Sequence, residues 1–180
     1  MARTATWIPE RGTAHAVALE VLRHGPLARS DLARRLNLSA ASLTRLVGPL
    51  LKAGLLEEIG EDPAARVGRP KRLLDVVAGS RHFLGLKLTG EAVLGVLTDL
   101  RAGVLGQAGR TLGSREPAEV VAAIGELVDE LVPPGVEVSA LGIGVGALTR
   151  GGVVVDAPFL GWHDVDLRVV AVVGLVRVGG

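Results

Sequence analysis

Between residues 13 and 54 apolar side chains return at helical spacing three times, and each return ends at residues a helix does not carry through easily. Ala14, Val17, Ala18, Val21 and Leu22 form the first stripe, stopped by Gly25-Pro26. Ser30 ahead of DLARRL reads as the N-cap of a short second helix that buries Leu32, Ala33 and Leu36, with Asp31 at the positive end of its dipole. Asn37-Leu38 makes a turn. Ser39 then caps a third helix with Leu43, Leu46, Val47, Leu50 and Leu51 on one side, ending at Gly54. Gly48-Pro49 inside it predicts a kink or a break, because proline removes a backbone donor and crowds the preceding turn. Residues 55–59, the loop GEDPAARVGRP and residues 71–77 then read as two strands around a long tip. Helix, short helix, turn, helix and hairpin is the order of a winged helix-turn-helix, which the spacing places in residues 1–78.

From residue 81 the period changes from helix to strand. HFLGLKL, AVLGVLTDL and GVLGQAGRTL are short apolar runs separated by turn residues, which suggests a meander. Pro117 opens a helix whose Val120, Val121, Ile124, Leu127, Val128 and Leu131 share one face. SALGIGVGAL follows as a buried strand, with GVVVDA expected to pair beside it. The order βββαβ is that of a ribonuclease-H-like, actin-like core, so the expected fold is α+β: a winged helix-turn-helix, then a partial actin-like α/β domain over residues 80–180.

Composition removes several alternatives. The 48% hydrophobic and 22% charged content of these 180 residues is that of a folded chain. No cysteine is present, which excludes disulfides, thiol nucleophiles and thiolate metal sites. His15, His24 and His82 have no partners at ligand spacing, so neither a metal nor another cofactor is expected. The apolar run at residues 169–176 is far shorter than the ~20 residues of a spanning helix, and MARTATWIPERG carries charge and proline where an export signal needs an apolar stretch. No membrane partner is expected, and the cytoplasm is the expected location. The net charge of +1 conceals an asymmetry: residues 1–80 hold 12 Lys+Arg against 8 Asp+Glu, and residues 81–180 hold 8 against 11. Either two halves with different partners or chance variation in a neutral chain accounts for it.

Three places could carry chemistry. Setting the apolar stripe of the third helix inward turns Ala41, Arg45, Gly48 and Lys52 outward, flanked by Ser42 and Thr44. Short side chains let a helix approach a major groove, and an arginine can bridge the O6 and N7 of a guanine. The same face fits an ordinary solvated helix surface, but its place after the Ser39 cap favours DNA. Arg66, Arg69, Lys71 and Arg72 gather in the hairpin tip beside Gly68 and Pro70, and a thin basic tip suits a minor groove. A solvated loop is the alternative there, and Glu57, Glu58, Glu61 and Asp62 weaken a purely electrostatic case. Trp162 and His163 in APFLGWHDVDL could hold a sugar-like ligand, or else lie in a surface loop with Trp162 packed on the domain. The turn around Thr89-Gly90-Glu91 is too weak a signal for a phosphate site, with Lys87 where an acid would be useful.

The GRP of the wing, FLGLKL…VLTDLRAGVL and LGIGVGALTRGGVVVDAPFLGW, together with the helix-turn-helix, resemble the ROK family and specifically its transcriptional regulators. The resemblance covers residues 13–167. It implies a sugar-kinase-like domain behind a winged DNA-binding domain, a double-stranded DNA operator, a repressor or activator role in carbohydrate metabolism, a sugar effector, and a homo-oligomer if the second domain is complete. It also implies no enzyme: Lys87, Thr89 and Gly90 stand where a kinase of this family has an Asp and paired glycines, and Phe159 falls near its sugar-contacting asparagine. The tail RVVAVVGLVRVGG departs from the family, and the expectation is a truncated or frame-shifted gene. The rival expectations are a sugar kinase or sugar-binding protein with an accessory N-terminal module, and a non-functional fragment.

Overall fold

The structure is a computed structural model that describes residues 12–61 and 72–167. The chain divides into two compact units, Met1–Ser80 and Arg81–Gly180.

In the first unit α1 (Thr13–His24), α2 (Arg29–Arg35) and α3 (Ala40–Lys52) are joined by β1 (Leu27–Ala28), and followed by β2 (Leu56–Glu61) and β3 (Arg72–Val76). Val17 and Val21 of α1, Leu32 of α2 and Leu43, Val47 and Leu50 of α3 meet in the core. Each such side chain taken out of water contributes ~1.5–3 kcal/mol. β3 lies between β2 and β1, all antiparallel, with Leu56 opposite Val76 and Leu27 opposite Leu74. Two residues are too few for a period, and the sequence reading missed β1. That strand also corrects the expected cap of α2. Leu27 and Ala28 are held extended against Leu74 and Leu73, so Ala28 becomes the N-cap and Ser30 falls inside the helix.

The expected break at Gly48-Pro49 does not occur. α3 runs to Lys52 with Pro49 inside it, and the Ala53 amide still reaches the Pro49 carbonyl at 2.9 Å. Gly48 and Pro49 lie on the exposed side. There, the carbonyl that the missing proline donor leaves open is on the side open to solvent, while Val47 and Leu50 hold the helix from below.

The second unit begins with β4 (His82–Leu88), β5 (Ala92–Asp99) and β6 (Val104–Thr111), followed by α4 (Pro117–Leu131) and β7 (Val138–Val145). The sheet order is β6-β5-β4-β7, antiparallel except for the parallel pair β4 and β7, so α4 is the crossover. Alternation sends Leu84, Leu86 and Leu88 toward Val120, Ile124 and Leu127 of α4. GVVVDA does not pair with β7 as expected. It forms β9 (Val153–Ala157) in a second sheet, between β8 (Leu148–Arg150) and β10 (Trp162–Asp166). The turn at Gly146-Ala147 ends β7, and Gly151 and Gly152, both at positive φ, fold the chain back onto Leu148–Arg150.

Candidate nucleic-acid interface

The approach to α3 is built from local hydrogen bonds. Asn37 takes a left-handed conformation with φ 51°, one that asparagine tolerates better than most residues, and ends α2. The Leu38 amide returns to the Ala33 carbonyl at 2.9 Å. Ser39 caps α3 as expected: its Oγ accepts the Ser42 amide at 3.1 Å and donates to Ser42 Oγ at 3.0 Å. With Leu43, Val47 and Leu50 inward, Ala41, Thr44, Arg45, Gly48 and Lys52 are exposed and Ser42 is half-buried. Thr44 Oγ1 spends its hydrogen on the Ala40 carbonyl at 2.9 Å, which leaves its oxygen as an acceptor and its methyl as an apolar contact. Arg45 borders an open cleft of about 410 Å³ with Thr13, Leu38, Ser42 and Leu46.

The cations of this unit divide into two groups. Arg34 is bonded to Asp31 at 2.7 Å and Arg35 to Glu20 at 2.8 Å. Arg29 and Arg72 share Glu58, at 2.8 and 3.2 Å. The hydrogen bond from Arg29, then that from Arg72, hold the Glu58 carboxyl below its usual range. Among the described residues no ion pair involves Arg45 or Lys52. Their charge is available on the face that carries the short side chains. Sequence reading counted Glu58 only as charge against DNA binding. Its partners lie 29 and 14 residues away along the chain, with no local spacing to reveal them.

Arg66, Arg69 and Lys71 of the tip, and the tail from residue 168, lie outside the described residues. The hairpin that carries the tip is in place, with Glu61 opposite Arg72 across an irregularity after Ile59.

In the second unit Trp162 and His163 are adjacent on β10, not in a surface loop, and so point to opposite sides. Trp162 is buried in the core, its indole NH donating to the Arg115 carbonyl. His163 is exposed, with Nδ1 3.0 Å from Asp156 Oδ1. The two share no stacking face, although both border a hollow of about 340 Å³ with Arg115 and Glu116. The β4–β5 turn is closed on itself. Thr89 Oγ1 accepts the amides of Glu91 and Ala92 at 3.3 and 3.0 Å, and Arg115 Nε donates to the Gly90 carbonyl at 3.0 Å. The amides of Thr89, Glu91 and Ala92, which a phosphate could otherwise use, are already taken.

These features define a winged helix-turn-helix whose third helix presents a basic face with no ion pair among the described residues, followed by a ribonuclease-H-like sheet and helix. A model described as MarR family matches residues 11–66. A solved structure of a ROK family transcriptional regulator, a homolog of the Escherichia coli MLC protein, superposes with a TM-score of 0.68 at 22% identity, covering 88% of this chain and 42% of that one. The chain is similar to the xylose repressor of Bacillus subtilis (strain 168), 24% identical over 155 residues, 83% of this chain and 40% of that protein. It is also similar to the DNA-binding transcriptional repressor Mlc of Escherichia coli (strain K12), 28% identical over 106 residues, 59% of this chain and 26% of that protein. The resemblance to ROK regulators and the expected α+β fold are thus borne out, and the chain spans about two fifths of the length of the xylose repressors it matches.

Proposed function

We propose that this chain is a sequence-specific DNA-binding transcriptional regulator of the ROK type, acting on a double-stranded operator for genes of sugar metabolism and not as an enzyme. The observation that carries the reading is the exposed face of α3, where Arg45 has no carboxylate partner among the described residues while Arg29, Arg34, Arg35 and Arg72 each have one. An unpaired guanidinium costs least to bring against a base edge, because no internal bond is given up. In this reading Ser39 sets the helix start, Ala41, Ser42 and Thr44 allow close approach, and Arg45 reads a guanine. Arg66, Arg69 and Lys71 at the tip of the winged domain, residues 1–78, enter the minor groove or meet phosphates. The name of the similar xylose repressor favours a sugar effector, with the hollow at Trp162 and His163 in residues 80–180 as the place to seek it. The same reading includes a homo-oligomer, if the second domain is complete, and the cytoplasm as its location.

The test is titration of the full chain against an operator selected from random DNA. Arg45→Ala is expected to weaken operator binding by ~1–3 kcal/mol and relax preference at one base pair. Equal affinity of wild type and Arg45→Ala for every selected sequence would overturn the assignment.

A further inference from the structure

Glu58 stands on β2 with one carboxylate oxygen 2.8 Å from Arg29 Nη2 and the other 3.2 Å from Arg72 Nη1. The two arginines come from different elements. Arg29 is the first residue of α2, and Arg72 opens β3 beside the wing tip. One carboxylate therefore ties the helix ahead of the recognition helix to the base of the hairpin. It also fills the donors that a phosphate oxygen would otherwise take, since guanidinium binds both anions in the same way. The three side chains are 33%, 27% and 73% exposed for Arg29, Glu58 and Arg72, so an outside anion can compete for the arginines. In a helix-turn-helix the helix ahead of the recognition helix crosses the DNA backbone, and Arg72 stands at the base of the basic hairpin tip. Arginines at these two places, if free, add phosphate contacts that are blind to sequence.

We propose that Glu58 is a specificity-determining positioning residue that keeps Arg29 and Arg72 from such contacts, so that Arg45 of α3, which has no ion pair among the described residues, carries a larger share of binding. The inference rests on the regulator reading above. Each phosphate contact adds ~0.9 to the slope of log affinity against log salt, so the slope counts the arginines released.

The experiment measures that slope for the full chain on a selected operator and on random duplex DNA. Glu58→Gln is expected to steepen it by ~1–2 and to raise affinity for random DNA severalfold, narrowing the ratio of operator to random binding. Glu57→Gln is the charge control. Glu57 is exposed, and its side chain makes no hydrogen bond or ion pair among the described residues, so its neutralisation removes the same charge and frees no arginine. Adding Arg29→Ala and Arg72→Ala to Glu58→Gln should bring the slope back to the wild-type value or below. Should Glu58→Gln fail to fold, Glu58→Asp keeps the charge but shortens the reach, and is expected to steepen the slope by ~1 or less. A slope for Glu58→Gln no steeper than that for Glu57→Gln overturns the proposal while leaving the regulator reading standing. A wild-type chain that binds neither DNA overturns both.

Discussion

Ser39 and Ser30 look alike in sequence, each a serine ahead of an apolar helical run, yet only one caps a helix. A cap needs an extended residue followed at once by helical ones, and Ser39 has that geometry because the Asn37 turn delivers it. At Ser30 the extended residue is Ala28, held by pairing with a strand that arrives more than forty residues later. Local chemistry makes the first legible and a distant partner hides the second. Glu58 belongs to the same class. Its carboxyl titrates below its usual range because the folded state offers it Arg29 and then Arg72, which the unfolded chain does not. A carboxyl lowered in this way adds stability above its unfolded value and loses it as pH falls through the lowered one. Acid unfolding of wild type followed by circular dichroism should therefore be steeper than that of Glu58→Gln below the ordinary carboxylate range. The two curves should converge once Glu58 is protonated in both states.

At the scale of elements, periodicity found the long helices and most of the strands of the second unit, where apolar residues alternate against α4. It erred where one residue pair was weighed against a whole element. Pro49 opposes a helix at one position, but Leu43, Val47 and Leu50 anchor α3 along its length, and the packing prevails. The reverse holds at Gly95 on β5, which period alone does not mark as special. A Cβ there would sit 2.5 Å from Leu131 Cδ1 and 3.1 Å from Leu127 Cδ2, so these buried leucine side chains of α4 would have to shift to admit it. Gly95→Ala is expected to destabilise the second unit by ~1–3 kcal/mol, read as a lower midpoint of thermal or urea unfolding. An unchanged midpoint would mean that α4 shifts on the sheet at no cost.

For the molecule as a whole, the sequence changes from helical to strand period near residue 80, and the chain forms two compact units, Met1–Ser80 and Arg81–Gly180. Sheet order was less legible. Placing β7 parallel to β4, and β9 in a sheet of its own, depends on a crossover and a two-glycine reversal that leave only weak marks in sequence. The β4–β5 turn bears on activity at this scale. Thr89 and Arg115 close it, so incubation of the chain with ATP and hexoses is expected to yield no sugar phosphate. Turnover that scales with protein concentration would return the kinase reading to favour.

The three helices of the first unit, the start of α3 at Ser39 and the short basic face of α3 follow from the sequence by itself, because each rests on neighbours within a turn or two of helix. Which arginines of the first unit are tied up in ion pairs was decided only by the tertiary structure. Ion pairs such as Arg29 and Arg72 with Glu58 join residues far apart in the chain, and a guanidinium already paired is chemically a different group from one that is not.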